Sequence, residues 1–281
     1  MRALRTGLMD VKHRYYEAKG RTRAARLTSV LLDRQWTQIP VFVWVIEHPE
    51  GVIVIDAGET AKVNEPDFFP APQRPYWRSQ YRFHITPENE AGAQLRRLNI
   101  PPQEVRWVVL THAHFDHTDA LYHFPNAEFI ISSKEFDDAY RYRSAHFAFP
   151  SKWPDWFKPH IIDYVPERIG PFEQSYVLTK AGDVRIVPTP GHTLGHQSVM
   201  VQQDGYTFFF GGDTSFDLPS LLNDKLDAPS FDSNKVFQTR QKILDYAHDV
   251  PLVYLTTHDP ETAIRLEQRT PIYAQAQPVR T

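Results

Sequence analysis

The sequence predicts an α/β fold in which sheets are covered by helices. Eight short apolar runs of β-type composition are spread along the chain, and several are continuous, as in strands buried on both faces. Segments with helical spacing lie between these runs in both halves. No linker rich in glycine, serine or proline separates the halves, so we expect one domain over residues 1–281.

The strands and helices are predicted from local patterns. The predicted strands are Val41–Ile46, Val52–Ile55, Val105–Leu110, Phe129–Ile131, Val184–Val187, Val199–Val201, Tyr206–Phe210 and Leu252–Leu255. One helix is expected from Thr86-Pro87-Glu88, which has the composition of an N-cap, a first-turn proline and an acidic first turn. A second helix is indicated by Val236, Phe237, Ile243, Leu244 and Ala247. A third is expected after Asp259, with that residue as its N-cap.

Composition excludes several classes of protein. The 281 residues include no cysteine, which rules out disulfides, thiolate metal sites and iron–sulfur clusters. The net charge of −3 provides no basic field for nucleic acid, so no nucleic-acid partner is expected. The longest apolar run, Ile39–Ile46, is far shorter than the roughly 20 residues of a membrane span.

The N-terminal region is rich in charge. Charges throughout Met1–Gly20 leave no apolar core for a signal peptide, so a cytoplasmic enzyme with no membrane partner is expected. We interpret the basic run as a solvated loop or a subunit contact, and a homodimer stays open. The run consists of Lys12, Arg14, Lys19, Arg21, Arg23 and Arg26.

A dense cluster of metal-ligand side chains follows the strand that ends at Leu110. His112 and His114 project to the same side of an extended segment, because side chains alternate with a period of two. Asp116 and His117 follow at the turn into the next element. Three imidazoles and a carboxylate within six residues are too closely spaced along the chain for one tetrahedral zinc ion, so the cluster favours two adjacent metal sites.

Three further candidate ligands stand in matching positions. His192, Asp213 and His258 each come a few residues after the carboxyl end of a predicted buried strand. Ligands of α/β sheets bind at such strand ends, so we expect these side chains to meet the cluster at one edge. Glycines before His192 and Asp213 allow the backbone to turn sharply.

The His-x-His-x-Asp-His run with the later His, Asp and His resembles the metallo-β-lactamase superfamily. The resemblance implies an αβ/βα sandwich, with two facing mixed sheets and helices on the outside. It also implies two divalent metal ions, zinc by ligand type, with iron, cobalt or manganese as alternatives. His112, His114 and His192 would hold the first ion; Asp116, His117 and His258 would hold the second; and Asp213 would bridge both.

Within the superfamily, the sequence resembles the N-acyl-homoserine lactone lactonases, which are quorum-quenching enzymes. The resemblance rests on the stretches 46–51, 54–58, 124–127, 189–198 and 257–260. It implies that a hydroxide bridging two cations about 3.5–4 Å apart opens the lactone ring. Asp116 is the candidate to pass a proton to the leaving alkoxide. Phe216 occupies the position of a family tyrosine that helps to bind the lactone carbonyl, so that hydroxyl is missing here.

The substrate expected from these features is a small lactone with an apolar acyl chain. Two aromatic-rich segments, Pro66–Phe83 and Phe136–Phe157, would line the acyl chain or else provide packing under long loops. We expect Asp56 to orient a metal-bound histidine, and His196 to be structural or to support a ligand rather than to bind metal itself. The resemblance disfavours β-lactam hydrolysis, because the best-known zinc β-lactamases have a cysteine at one position of the second metal site and this chain has no cysteine.

Other reactions on the same site stay open. A glyoxalase II-like thioesterase, an aryl ester hydrolase and a phosphotriester hydrolase would each use the same ligands. A metallo-nuclease is disfavoured by the net charge of −3. A non-catalytic metal-binding scaffold is disfavoured because every expected ligand position carries a residue that can bind metal.

Overall fold

The computed structural model describes residues 1–20, 22–143 and 147–273, and it forms a four-layer sandwich. The first sheet has seven strands in the order β4-β1-β2-β3-β5-β6-β7. Their bounds are β1 Arg2–Lys12, β2 Trp36–His48, β3 Gly51–Ile55, β4 Tyr81–His84, β5 Val105–Val109, β6 Glu128–Ser132 and β7 His160–Ile162. Strands β3, β5, β6 and β7 are parallel, whereas β1 pairs antiparallel with β2 and β4, and β2 with β3.

The second sheet has five strands in the order β12-β11-β10-β9-β8. Their bounds are β8 Tyr176–Val177, β9 Val184–Pro188, β10 Gln197–Gln203, β11 Tyr206–Gly212 and β12 Leu252–Thr256. Strands β11 and β12 are parallel, and the other pairs are antiparallel. Both sheets are therefore mixed, as predicted.

Nine α-helices occur in the part of the chain that the structure describes. They are α1 His13–Tyr16, α2 Arg23–Leu31, α3 Arg74–Gln80, α4 Ala91–Arg97, α5 Phe115–Thr118, α6 Ser133–Tyr142, α7 Leu218–Leu222, α8 Ser233–Asp249 and α9 Thr262–Glu267. None of them, within the described ranges, has the length and apolar character needed to cross a bilayer.

Three apolar clusters hold the layers together. Between the sheets, side chains such as Trp44 and Ile53 from the first sheet pack against Phe208 and Val253 from the second. Helices α4 and α6 cover the outer face of the first sheet, and α8 packs through Ile243 on the outer face of the second. This arrangement confirms the predicted αβ/βα sandwich.

All eight predicted strands are present, and the described residues contain four others that were not predicted. The missed strands are β1, β4, β7 and β8. Three of these four are only two to four residues long, which gives little pattern to detect. The eleven-residue β1 lacks a clean alternation of buried and exposed residues because its register shifts between Arg5 and Gly7.

Two predicted helix starts are wrong. The segment at Thr86 closes a turn, in which Asn89 N–H donates to the Thr86 carbonyl, and α4 begins only at Ala91. Helix α9 begins at Thr262, so Asp259 is not its N-cap. The Asp259 carboxylate instead accepts a hydrogen bond from Glu261 N–H at 2.8 Å, in the turn before the helix.

The solvated-loop interpretation of the basic run is wrong for Arg26, whereas Arg21 lies outside the described residues. The side chain of Arg26 is 1% exposed within α2. Its guanidinium donates to the Ser230 carbonyl at 2.5 Å and to Ser233 Oγ at 2.8 Å. Arg26 therefore ties the N-terminal helices to the loop before α8.

Candidate metal centre

The structure brings all seven predicted ligands to one edge of the sandwich, at the carboxyl ends of β5, β9, β11 and β12. All seven are buried. They form two groups, and within each group one ligand atom per residue lies within 4.8 Å of all the others. The first group is His112, His114, His192 and Asp213, and the second is Asp116, His117 and His258.

Two glycines shape the chain beside these ligands, as expected. Gly191 and Gly212 both have positive φ angles, of 145° and 51°. A Cβ at Gly191 would lie 2.5 Å from the backbone nitrogen of Val236. A Cβ at Gly212 would lie 2.8 Å from His196 Nε2. Only glycine fits both the turn and the close approach at these points.

Asp213 lies between the two groups. Its Oδ2 is 3.4 Å from His192 Nε2 and 3.3 Å from His258 Nε2. Its Oδ1 is 3.5 Å from His117 Nε2. One carboxylate therefore faces imidazoles of both groups, which is the arrangement needed for a ligand shared by two ions.

The side chains fit metal ions. Within the described residues, His112 Nε2, His117 Nε2 and Asp213 Oδ1 are buried without a hydrogen-bond partner. Buried polar atoms in that condition are rare, and cations held by the two groups would satisfy all three. The donor set of imidazoles and carboxylates suits zinc and also accepts iron, cobalt or manganese.

Other hydrogen bonds fix the orientation of the ligand imidazoles. His117 Nδ1 lies 2.8 Å from Asp56 Oδ2, so the predicted contact between Asp56 and a candidate ligand histidine is present. Asp56 also accepts from Thr111 N–H at 2.7 Å, so it holds the start of the ligand cluster. His258 Nδ1 donates to the Pro40 carbonyl at 2.8 Å. These contacts set which ring nitrogen faces the centre.

Asp227 orients His192, and sequence reasoning missed it. Its Oδ1 lies 3.2 Å from His192 Nδ1 and accepts from Ser230 N–H at 2.8 Å. Its Oδ2 accepts from Ser230 Oγ at 2.8 Å and lies 3.9 Å from Arg240 Nη2. The residue stands in a loop with no motif, 35 positions from His192, so no local pattern identifies it.

Glu135 was also missed. It is 3% exposed, and it accepts from Ala113 N–H at 2.9 Å and from Thr193 Oγ1 at 2.6 Å. It therefore ties the segment that carries His112 and His114 to the segment that carries His192. The only local signal was Ser132-x-x-Glu135, which indicates a capping box at the start of a helix.

His196 is structural, as expected. Its Nε2 accepts from Asp213 N–H at 3.1 Å, and its Nδ1 lies 2.9 Å from Thr189 Oγ1. Burial, together with the nearby His192, lowers the pKa of His196 to about 3. The ring is therefore neutral, and it fixes the backbone at Asp213.

The imidazoles and carboxylates of the site shift one another's pKa values. Burial and the neighbouring imidazoles of His117 and His114 hold the pKa of His112 well below its usual value. Burial opposes ionisation of Asp213, but His258 and His117 outweigh it and hold the pKa of that carboxyl well below its usual range. Asp213 is therefore an anion facing the imidazoles.

A small cavity of about 30 Å³ adjoins the ligands. Asp116 and Phe216 both line it. The Phe216 ring centroid is 4.9 Å from that of His258 and 6.3 Å from that of His192.

The two aromatic-rich segments mostly provide packing. Residues such as Phe69, Trp77 and Phe149 are buried against one another in a cluster beside the cavity. Only Tyr81 from the first segment and Phe147 from the second line the cavity, with residues 144–146 lying outside the described part. The packing interpretation is thus correct for most of these side chains.

Two facing mixed sheets with a buried His/Asp centre at one edge define a metal-dependent hydrolase. The family model of the metallo-beta-lactamase superfamily matches residues 36–258, and the chain belongs to that superfamily.

Comparison with curated proteins finds relatives along most of the chain. N-acyl homoserine lactonase AttM from Rhizobium radiobacter is 28% identical over 255 residues, covering 84% of this chain and 88% of the relative. An N-acyl homoserine lactonase from Bacillus cereus is 28% identical over 200 residues, covering 70% of this chain and 72% of the relative.

Solved structures share the fold. One is an N-acyl homoserine lactone hydrolase with the product N-hexanoyl-L-homoserine bound at the catalytic metal center. It has a TM-score of 0.74 at 19% identity and covers 98% of this chain and 97% of its own. Hydrolase AbOPH of the beta lactamase superfamily has a TM-score of 0.61 at 16% identity, and the match covers 93% of this chain and 87% of that protein's chain.

Proposed function

We propose that this chain is a dinuclear metal hydrolase that opens the lactone ring of N-acyl-homoserine lactones, which makes it a quorum-quenching enzyme. The observation that carries the proposal is the pair of buried ligand groups sharing Asp213 beside a mostly apolar cavity. The curated relatives named as N-acyl homoserine lactonases support the choice of substrate.

We assign the seven ligands as the sequence predicts. His112, His114 and His192 hold one ion, Asp116, His117 and His258 hold the other, and Asp213 contacts both. Two cations bound here would supply a nucleophilic water at neutral pH and an electrophile for the ring carbonyl oxygen. Zinc is the metal we propose from the donor set.

The chain's own residues contribute position and a proton. Asp116 lines the cavity, with its Oδ2 3.4 Å from His258 Nε2. We assign to its carboxyl group the transfer of a proton to the leaving ring oxygen. Asp56 and Asp227 hold the imidazoles of His117 and His192 in a fixed orientation during the reaction. The apolar wall, which includes Phe115 and Phe216, limits access of bulk water.

A hydrolysis panel tests the substrate class. Purified, metal-replete protein is assayed by proton release with N-acyl-homoserine lactones, simple γ- and δ-lactones, an aryl ester, a glutathione thioester and a phosphotriester. We expect kcat/KM for N-acyl-homoserine lactones to exceed every other value at least about tenfold. A higher kcat/KM for the thioester or the phosphotriester would replace lactone opening with that reaction. An Asp116→Asn variant serves as the control for site-dependent turnover.

The single domain over 1–281, the cytoplasmic location and the absence of a nucleic-acid partner stay predictions.

A further inference from the structure

The segment that follows Asp213 is fixed in place by buried hydrogen bonds. The hydroxyl of Tyr254 lies 2.7 Å from Thr214 Oγ1 and 2.8 Å from Ser215 Oγ. Tyr254 is itself fully buried in β12, which pairs with β11, the strand before Asp213. Residues 214 and 215 are therefore a rigid reference point beside the first ligand group.

A guanidinium connects the loop that carries Asp227 to this segment. Arg240, on α8, is 0% exposed. Its Nε donates to the Thr214 carbonyl at 2.8 Å, and its Nη1 donates to the Lys225 carbonyl at 2.6 Å. Its Nη2 has no hydrogen-bond partner in the described part of the chain and lies 3.9 Å from Asp227 Oδ2. One planar group thus spans the gap between the segment after the shared ligand and the carboxylate that orients His192.

The chemistry of arginine suits this position better than an apolar side chain would. Taking a guanidinium out of water is unfavourable, and an apolar side chain of similar volume would fill the same space without that penalty. An apolar side chain cannot supply a planar fork of donors that holds several acceptors at set distances. The buried fork therefore points to a role in setting geometry.

We propose that Arg240 is a positioning residue of the metal centre. It holds the Asp227 loop at the distance from Asp213 at which the Asp227 carboxylate orients His192 for metal binding. Two of the four members of the first ligand group, His192 and Asp213, depend on this distance. Arg240 belongs to neither ligand group and does not line the cavity, so it acts through Asp227. The inference rests on the proposed metal centre and does not depend on the choice of lactones as substrate.

The test measures zinc affinity, by competition with a chromophoric chelator, in Arg240→Met and in the matched control Ile243→Ala. Ile243 lies three residues further along α8 and is fully buried against the second sheet, so its truncation destabilises the fold without removing a polar contact. We expect Arg240→Met to lower zinc affinity about tenfold, as loss of support for a ligand histidine does. Ile243→Ala should lower it less than about threefold.

Two results of this comparison would overturn the proposal. One is a normal zinc affinity in folded Arg240→Met. The other is an equal loss of affinity in Ile243→Ala at a similar fall in melting temperature, because zinc binding would then follow overall stability. Arg240→Lys, which keeps the charge but has no fork, replaces Arg240→Met if that variant does not fold, and a normal affinity in it would count in the same way.

The visible spectrum of the cobalt-loaded protein gives a second measurement, which does not depend on activity. The absorption of bound Co²⁺ reports the arrangement of its ligands. We expect the band to shift in the Arg240 variants and to stay unchanged in Ile243→Ala. An unchanged band in the Arg240 variants would show that the ligands keep their arrangement without the guanidinium, which would contradict the proposal.

A double-mutant cycle tests whether Arg240 acts through Asp227. If it does, adding Arg240→Met to Asp227→Ala should lower zinc affinity by less than a further factor of about three. Losses that multiply would show that Arg240 acts on the centre by another route, and the proposal would fail.

Failure of the proposed function would give a different pattern. If the natural protein binds zinc but leaves lactones intact, the lactonase proposal alone fails, and the zinc affinities still decide the role of Arg240. If the natural protein binds no zinc, the proposed metal centre and the role of Arg240 fail together.

Discussion

Removing the carboxylate of Asp227 should loosen the first ligand group and destabilise the fold. In Asp227→Ala, His192 Nδ1 and two donors of Ser230 lose their acceptor, and the guanidinium of Arg240 loses a buried counter-charge 3.9 Å away. Breaking one partner of a buried ion pair costs about 3–5 kcal/mol. We therefore expect the free energy of unfolding to fall by about 3–5 kcal/mol. Loss of a partner that orients a ligand histidine lowers metal affinity about 10–100-fold.

Asp227→Asn separates hydrogen bonding from charge. Its amide oxygen still accepts from His192 and from Ser230 N–H, so we expect a loss of metal affinity below about tenfold. The assays are urea unfolding of the metal-free protein and competition for zinc with a chromophoric chelator. Asp232→Ala is the matched control, because Asp232 caps α8 in the same region without contacting a ligand. It should cost about 1 kcal/mol and leave affinity unchanged.

A normal zinc affinity in Asp227→Ala would show that Asp227 does not orient His192 for metal binding. The orienting role would also fail if Asp232→Ala weakened zinc binding as much as Asp227→Ala does.

Three other changes have defined outcomes. Asp213→Ala should lose both ions more readily than His258→Ala, because only Asp213 faces both ligand groups; elemental analysis after dialysis measures this. Burial opposes ionisation of Glu90, but hydrogen bonds from His123 and Tyr122 lower its pKa from 4.5 to about 2. Ionised Glu90 thus contributes up to about 3 kcal/mol to the free energy of unfolding above pH 4.5, and this contribution is lost as the pH falls toward 2. In Glu90→Gln, the melting temperature should therefore fall less steeply with decreasing pH than in the natural protein. Finally, kcat/KM should rise with acyl-chain length, because each buried methylene adds up to about 0.8 kcal/mol of binding free energy. Equal kcat/KM values for chains of four to twelve carbons would show that the aromatic residues only pack against one another and do not contact the acyl chain.

The seven candidate ligands could be expected to lie together because most of them follow a strand whose apolar run is visible in the sequence. His112 and His114 come directly after β5, and Asp213 comes directly after β11. Parallel strand ends meet at one edge, so a linear pattern was enough to place side chains a hundred residues apart. Asp56 was found for the same reason, because it ends β3.

The supporting residues could not be predicted because their partners are distant and their local signals indicate something else. Asp227 meets His192 only after the loop before α8 has folded onto the second sheet. Glu135 has the sequence pattern of a helix cap, but its carboxylate reaches Ala113. Arg26 appeared to be one charge in a basic run, and only the tertiary structure shows that it is buried.

Titration of zinc into metal-free protein, with ring opening followed at each step, tests whether the chain is a lactonase that needs two metal ions. Metal-free protein receives increasing equivalents of zinc, and the rate of N-hexanoyl-homoserine lactone hydrolysis is measured at each step. Because two ligand groups face Asp213, we expect the rate to rise until about two equivalents per chain and then to stay constant. Saturation at one equivalent, or no ring opening at any zinc concentration, would contradict it.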